Sequence, residues 1–239
     1  MANEPPGHHR GVGASVLRKE DDRHLRGRGQ FVADIALPGT QEVVFLRSPH
    51  AHALIRSISV PPAARGRAFT AADLPRMKPI RVVTQAAGAP SPPWPPLATD
   101  KVRYVGEAIA ACVAPTRAEA EDLAAAVIVD YQPLDAVLDA PVARAGSPSL
   151  VHESFGDNLF QERTIIGGDI ETAARAAEIT ITREYRTNRQ SGAPMECRGV
   201  LAYRDHRLDE VVVYASTQTP QTMRVALGEF LGIEERGIL

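Results

Sequence analysis

The sequence predicts an α+β chain in two parts, on three observations. Residues 104–131 read as a strand, a capped helix and a second strand. Upstream, residues 41–47 and 52–60 alternate apolar and polar side chains, the pattern of half-buried strands. Downstream of a Gly/Ser/Pro break at 143–149, the pattern restarts with a short helix, a strand, a hairpin and a final helix. The break divides the chain into a disordered lead at 1–12, a first domain at 13–142 and a second at 150–239.

The lead is polar, with Pro5, Pro6, His8 and His9. Residues 13–34 are charged and glycine-dotted, and Pro38-Gly39 marks a turn before the first strand. That strand gains its propensity from Val43, Val44 and Phe45. In the second, Ala53, Ile55, Ser57 and Ser59 share one face, and Leu54, Arg56, Ile58 and Val60 the other. Residues 71–74 are long enough only for a helical turn. Proline removes backbone donors, so the 86–96 segment (AAGAPSPPWPP) must be an extended loop, which Trp94 is expected to pin to the body.

Small apolar residues at 104–114 make a buried strand, entered through a tight turn at Gly106-Glu107 whose carboxylate is solvated or capping. Thr116 and Glu119 form a capping box: the hydroxyl takes one orphan amide of the helix and the carboxylate reaches back to another. Ala120, Leu123, Ala124 and Val127 then share one helical face, and Pro133 closes the following strand. In the second part, Asp169 caps a helix at 169–177, a strand covers 179–186, and a hairpin joins 200–203 to 210–215 through a polar turn. The last helix, 221–231, stops at Gly232.

Composition excludes several function classes. With 27 Lys and Arg against 29 Asp and Glu, spread along the chain, there is no basic face for nucleic acid. No window is long enough for a membrane span, and the N terminus lacks the apolar core of a signal peptide. A soluble cytoplasmic protein is expected. The two cysteines, Cys112 and Cys197, are isolated, which supports neither an iron–sulfur cluster nor a zinc ribbon. Gly11-Val12-Gly13-Ala14-Ser15-Val16 lacks the third glycine of a dinucleotide fingerprint.

Two motifs near the end carry the chemistry: Pro194-Met195-Glu196-Cys197-Arg198, and Ser216-Thr217-Gln218-Thr219-Pro220 beyond the hairpin. Earlier pieces occur in a fixed order: Arg18-Lys19-Glu20-Asp21, Gly27 to Asp34, Arg47-Ser48-Pro49-His50-Ala51-His52-Ala53, Ala71-Ala72-Asp73-Leu74-Pro75, Val102 to Glu107, Ala118 to Asp122, and Gly168-Asp169-Ile170-Glu171. In that order the sequence resembles the N-terminal part of the large, molybdopterin-binding subunit of the xanthine dehydrogenase, aldehyde oxidase and carbon monoxide dehydrogenase family. The resemblance implies an a/b hammerhead domain followed by an incomplete α/β molybdopterin-binding domain.

It also implies an oxidoreductase acting on an aldehyde, an N-heterocycle or carbon monoxide, with water as the oxygen source. The implied cofactor is molybdenum on molybdopterin, in bacteria the cytosine dinucleotide form, shared with a partner chain. The expected partners are the remaining part of the large subunit, an iron–sulfur subunit and a flavin subunit; no FAD or iron–sulfur site is expected in this chain. Gln218 matches the family glutamine whose amide sits beside an oxygen ligand of molybdenum, where a neutral donor stabilises charge without titrating. The glycine-rich GGGFG motif and the glutamate base of the family do not occur in these residues, so a split or truncated subunit is expected, inactive alone. Cys197 stands where the family carries proline. The alternative is a non-catalytic hammerhead-type scaffold or a truncated remnant.

The remaining signals have plainer readings. His50 and His52 share a strand face but lack a third ligand, so structural hydrogen bonding is expected of them. His152-Glu153 lacks the second histidine of a zinc-protease helix. Glu196 and Arg198 are expected to pair or to anchor their loop.

Overall fold

The computed structural model describes residues 11–14, 16–80 and 92–239. The lead up to residue 10 and residues 86–91 of the proline-rich loop lie outside the described residues. Described elements begin with a short helix α1 (Asp21–Leu25), not expected from the sequence. Six strands follow: β1 (Glu42–Arg47), β2 (Ala53–Ser59), β3 (Ala68–Thr70), β4 (Lys101–Val102), β5 (Ala108–Ala114) and β6 (Ile128–Pro133). Helix α2 (Arg117–Ala126) lies between the last two. Beyond them come α3 (Ala140–Gly146), α4 (Ile170–Ala176), β7 (Val200–Asp205), β8 (Glu210–Ala215) and α5 (Pro220–Leu231).

The six strands form two antiparallel sheets, ordered β1-β5-β3 and β4-β2-β6. The strands flanking α2 therefore lie in different sheets, β5 beside β1 and β6 beside β2. The capping box holds α2 in place: the Glu119 amide donates to the Thr116 hydroxyl at 3.3 Å, and the Thr116 amide donates to the Glu119 carboxylate at 3.2 Å. Small residues on the inner face of α2 bring it close to the first sheet, where Ala120, Leu123 and Ala124 pack with Cys112, Ala114 and Val127. Burial pushes the Cys112 thiol pKa up, so this cysteine is packing rather than a nucleophile. A second cluster, Ala53, Ala98, Val102 and Ile109, draws on both sheets, and Ile58 and Val129 touch both clusters.

The strict alternation expected for β2 is interrupted. Ile55 pairs with Tyr131 and Ser57 with Asp130, leaving Arg56 as an extra residue, a β-bulge. The inserted residue resets the side-chain period, and Ile58 packs against the same cluster as Ala53 and Ile55.

The 143–149 break is not a free linker. Asp139 caps α3 by accepting the Val142 amide at 3.2 Å, and Pro141 occupies its first turn. The following strap is fastened to the first part. The Lys101 ammonium, buried in the first part, donates to the Leu150 carbonyl at 2.7 Å and to the Glu153 carboxylate at 2.6 Å. Arg103 donates to the Val151 carbonyl at 3.2 Å, and Asn158 ties Ser149 to Val151. His52 closes the other end: its Nδ1 donates to the Asp135 carbonyl at 2.7 Å and lies 3.2 Å from Ser149 Oγ, with Nε2 buried and unpartnered among the described residues.

Glu107 is neither solvated nor at a helix end. It is 3 % exposed and accepts the Arg103 amide at 2.5 Å. Desolvation raises its carboxyl pKa, against the lowering effect of that amide and the Arg103 charge. Gly106, with φ +92°, makes the turn in a left-handed backbone that disfavours side chains.

The 179–186 segment forms no strand. Ile179, Ile181 and Tyr185 are exposed in it, and it has no ladder partner among the described residues.

Candidate functional site

Strands β7 and β8 pair in unbroken register from Val200↔Ala215 to Asp205↔Glu210. The hairpin thereby brings the two C-terminal motifs side by side, one entering β7 and the other leaving β8. After α5 the chain returns beside β8 in parallel: Leu239 N donates to the Val211 carbonyl and Val213 N to the Leu239 carbonyl, both at 2.9 Å. Strand β8 thus has neighbours on both edges, and a β-α-β crossover begins at its carboxyl end. Ligands of α/β sheets bind outside the carboxyl ends of their strands. A cleft of about 290 Å3 opens there, lined by Val213, Ala215, Thr217, Met223, Leu227 and Ile238 among others.

Gln218 occupies the bend between β8 and α5. Its side chain is exposed and makes no hydrogen bond to another described residue. The bend is closed around it, with Thr219 N donating to Thr217 Oγ1 at 3.2 Å. Ser216 joins the two motifs: its hydroxyl accepts the Gly199 amide at 2.8 Å and donates to the Cys197 carbonyl at 3.1 Å, and its own amide donates to the Gly199 carbonyl at 3.1 Å.

The first motif is tied in turn to the start of the chain. Glu196 accepts the Val32 amide at 3.3 Å, which makes it a loop anchor. A Cβ on Gly199 would lie 3.3 Å from the Val32 side chain, so this close approach favours glycine. Ala193, just before Pro194, has φ +39°, a left-handed conformation costly for a residue with a Cβ. Lys78 N donates to the Phe230 carbonyl at 3.1 Å, a further bond between the first part and α5.

Other sequence candidates fall outside this arrangement. His50 stacks edge-on against Tyr131 with ring centroids 4.8 Å apart, and His52 is the buried strap anchor described above. Among the described residues no group of three or more His, Cys, Asp or Glu is placed to hold a metal ion. Trp94 does pin its loop: it exchanges backbone hydrogen bonds with Ile80 and meets Tyr104 edge-on at 6.3 Å. Cys197 is exposed. No helix among the described residues is long and apolar enough to cross a membrane.

Two family models match the chain: the a/b hammerhead domain of aldehyde oxidase and xanthine dehydrogenase over residues 26–135, and the molybdopterin cofactor-binding domain over 151–239. The chain belongs to the xanthine dehydrogenase and aldehyde oxidase family. It is 35 % identical over 229 residues to the nicotine 6-hydroxylase large subunit of Paenarthrobacter nicotinovorans, covering 94 % of this chain and 28 % of that protein. It is 29 % identical to the carbon monoxide dehydrogenase large chain of Afipia carboxidovorans, covering 95 % of this chain and 30 % of the relative. Among solved structures, quinoline 2-oxidoreductase from Pseudomonas putida 86 superposes with a TM-score of 0.85 at 32 % identity, covering 95 % of this chain and 29 % of that one. The chain therefore spans under a third of the length of these relatives.

Within this family fold, the Ser216 clamp and the Glu196–Val32 bond were not evident from the sequence. The one available signal for Ser216 was its place inside the second motif.

Proposed function

We propose that this chain is the N-terminal portion of a molybdenum hydroxylase large subunit, acting on an aldehyde, an N-heterocycle or carbon monoxide with water as oxygen source. The rest of the cofactor site is supplied by the part of the large subunit that these residues do not span. The observation that carries the reading is the juxtaposition of the two C-terminal motifs, with the Gln218 amide exposed at the carboxyl end of β8. The residues fit the cofactor: Gln218 keeps its donors uncommitted among the described residues, and its neighbours Thr217, Pro220 and Gln221 line a cleft that also holds Arg224.

Molybdenum, held on molybdopterin cytosine dinucleotide, would supply a two-electron acceptor when bound. The chain's own contribution is to hold a neutral N–H donor toward it, which neither gains nor loses a proton. Iron–sulfur and flavin groups belong to partner subunits in this reading. The setting is the cytoplasm, and the domain division falls at the 143–149 break.

The test is co-production with a chain carrying the remaining length of the relatives, followed by assay for molybdenum and pterin in the purified complex. Both groups are expected, together with protease protection over the whole 150–239 region. If no molybdenum is retained and only the region before Ala143 resists protease, the scaffold reading replaces this one.

A further inference from the structure

We propose that Ser216 is a positioning residue for Gln218, fixing the backbone from which the amide projects by locking the second motif onto the first. The inference rests on the reading of Gln218 given above. Its basis is a set of three short bonds concentrated on one residue: Gly199 N to Ser216 Oγ at 2.8 Å, Ser216 Oγ to the Cys197 carbonyl at 3.1 Å, and Ser216 N to the Gly199 carbonyl at 3.1 Å. Only the last belongs to the backbone and survives loss of the side chain. The hydroxyl takes the Gly199 amide on a lone pair, and its single hydrogen faces the carbonyls of Cys197 at 3.1 Å and Gly199 at 3.4 Å, so one small group grips the first motif at two residues.

Gln218 lies two residues away, within a bend already closed by Thr217. At the other end, the Val32 amide holds Glu196 and the Val32 side chain crowds Gly199, so the platform that Ser216 grips is itself fixed. The amide is thus referenced to the first part of the fold through Ser216, Gly199 and Val32. A shift of the bend carries the amide with it, and a misplacement near 1 Å at a reacting centre costs roughly a hundredfold in rate.

The test compares Ser216→Ala, Ser216→Thr and Gln218→Ala. In the full chain, hydrogen exchange at the Gly199 amide should accelerate roughly tenfold in Ser216→Ala, as one bond is lost, and return toward the parent rate in Ser216→Thr. Unchanged exchange in Ser216→Ala overturns the clamp directly. In the complex completed by the partner chain, kcat per bound molybdenum should fall roughly a hundredfold in Gln218→Ala and at least about tenfold in Ser216→Ala, with KM unchanged. The double variant should be no slower than Gln218→Ala alone, which a residue of merely structural importance would not produce. If Gln218→Ala lowers kcat while Ser216→Ala does not, the positioning role is overturned and the reading of Gln218 stands. If Gln218→Ala leaves kcat unchanged, that reading fails and the positioning role with it.

Discussion

The two parts of the chain use the same kinds of element with opposite results. Both contain a side-chain-capped helix and antiparallel strands, α2 with β5 and β6 in one, α4 with β7 and β8 in the other. In the first, α2 buries Ala120, Leu123 and Ala124; in the second, α4 buries nothing. Among the described residues every buried apolar side chain except Ile238 lies between Ala53 and Val127. Propensity and capping form elements in either region, but a core requires a second layer to close over them.

Core deletion should separate the regions most. Ile109→Ala, at a fully buried site, should lower unfolding free energy by about 2–5 kcal/mol, read from the urea midpoint. Ile181→Ala, 74 % exposed, should change it by less than about 0.5 kcal/mol in the chain alone. An equal loss at both sites would break the comparison. Assembly with the remaining part of the large subunit should narrow the gap, because Ile181→Ala then becomes costly where the 179–186 segment is covered.

The strap gives the next effect. Removing Glu153 leaves the Lys101 ammonium buried with only a carbonyl partner, whereas removing Lys101 leaves a carboxylate that water reaches. Glu153→Ala should therefore cost more than Lys101→Met, roughly 1–3 kcal/mol because Glu153 is mostly exposed. Limited proteolysis at 147–158 should show the same ranking.

Caps provide the matched pair. Thr116→Ala should cost about 1 kcal/mol of global stability. Asp169→Ala removes the same kind of bond, the Thr172 amide at 2.9 Å, yet should only speed amide exchange within α4.

The smallest effect is on pH. His152 has its pKa lowered by burial and then by the Arg103 and Lys101 charges. The folded chain therefore binds fewer protons than the unfolded one as pH falls through the ordinary value of 6.5, and stability is lost there. Glu153, its pKa lowered chiefly by the Lys101 hydrogen bond, extends the loss below 4.5. Glu107, its pKa raised by burial, works in the opposite sense, its folded state favoured by acid. Cleavage of the strap should quicken between pH 7 and pH 5.5, and His152→Gln should flatten that dependence.

The sequence was most informative where a signal is local. Thr116, Glu119, Asp169 and Gly232 each carry their instruction within a few residues, and all four act as expected. The start of α3 was equally local, in Asp139 and Pro141, but the Gly/Ser/Pro composition just after it suggested a linker. The bulge at Arg56 left no trace, since it depends on registry with β6. The 179–186 alternation is a strand pattern, yet a ladder needs a second strand, and none is present among the described residues. At the site, spacing brought the two motifs together through the hairpin, whereas Gln218 itself was picked out by family resemblance. Burial of Lys101 was invisible, because its partners lie 49 and 52 residues away.

The strap also decides how this polypeptide meets anything beyond Leu159. A loose tether would let the later residues sweep through a volume, and encounter would be a search. Pinned by Lys101, Arg103 and His52, the backbone leaves the first sheet pair on one fixed bearing. In the reading proposed above, docking of the remaining part of the large subunit is then governed by alignment, and its specificity can be written into angle as much as into contact.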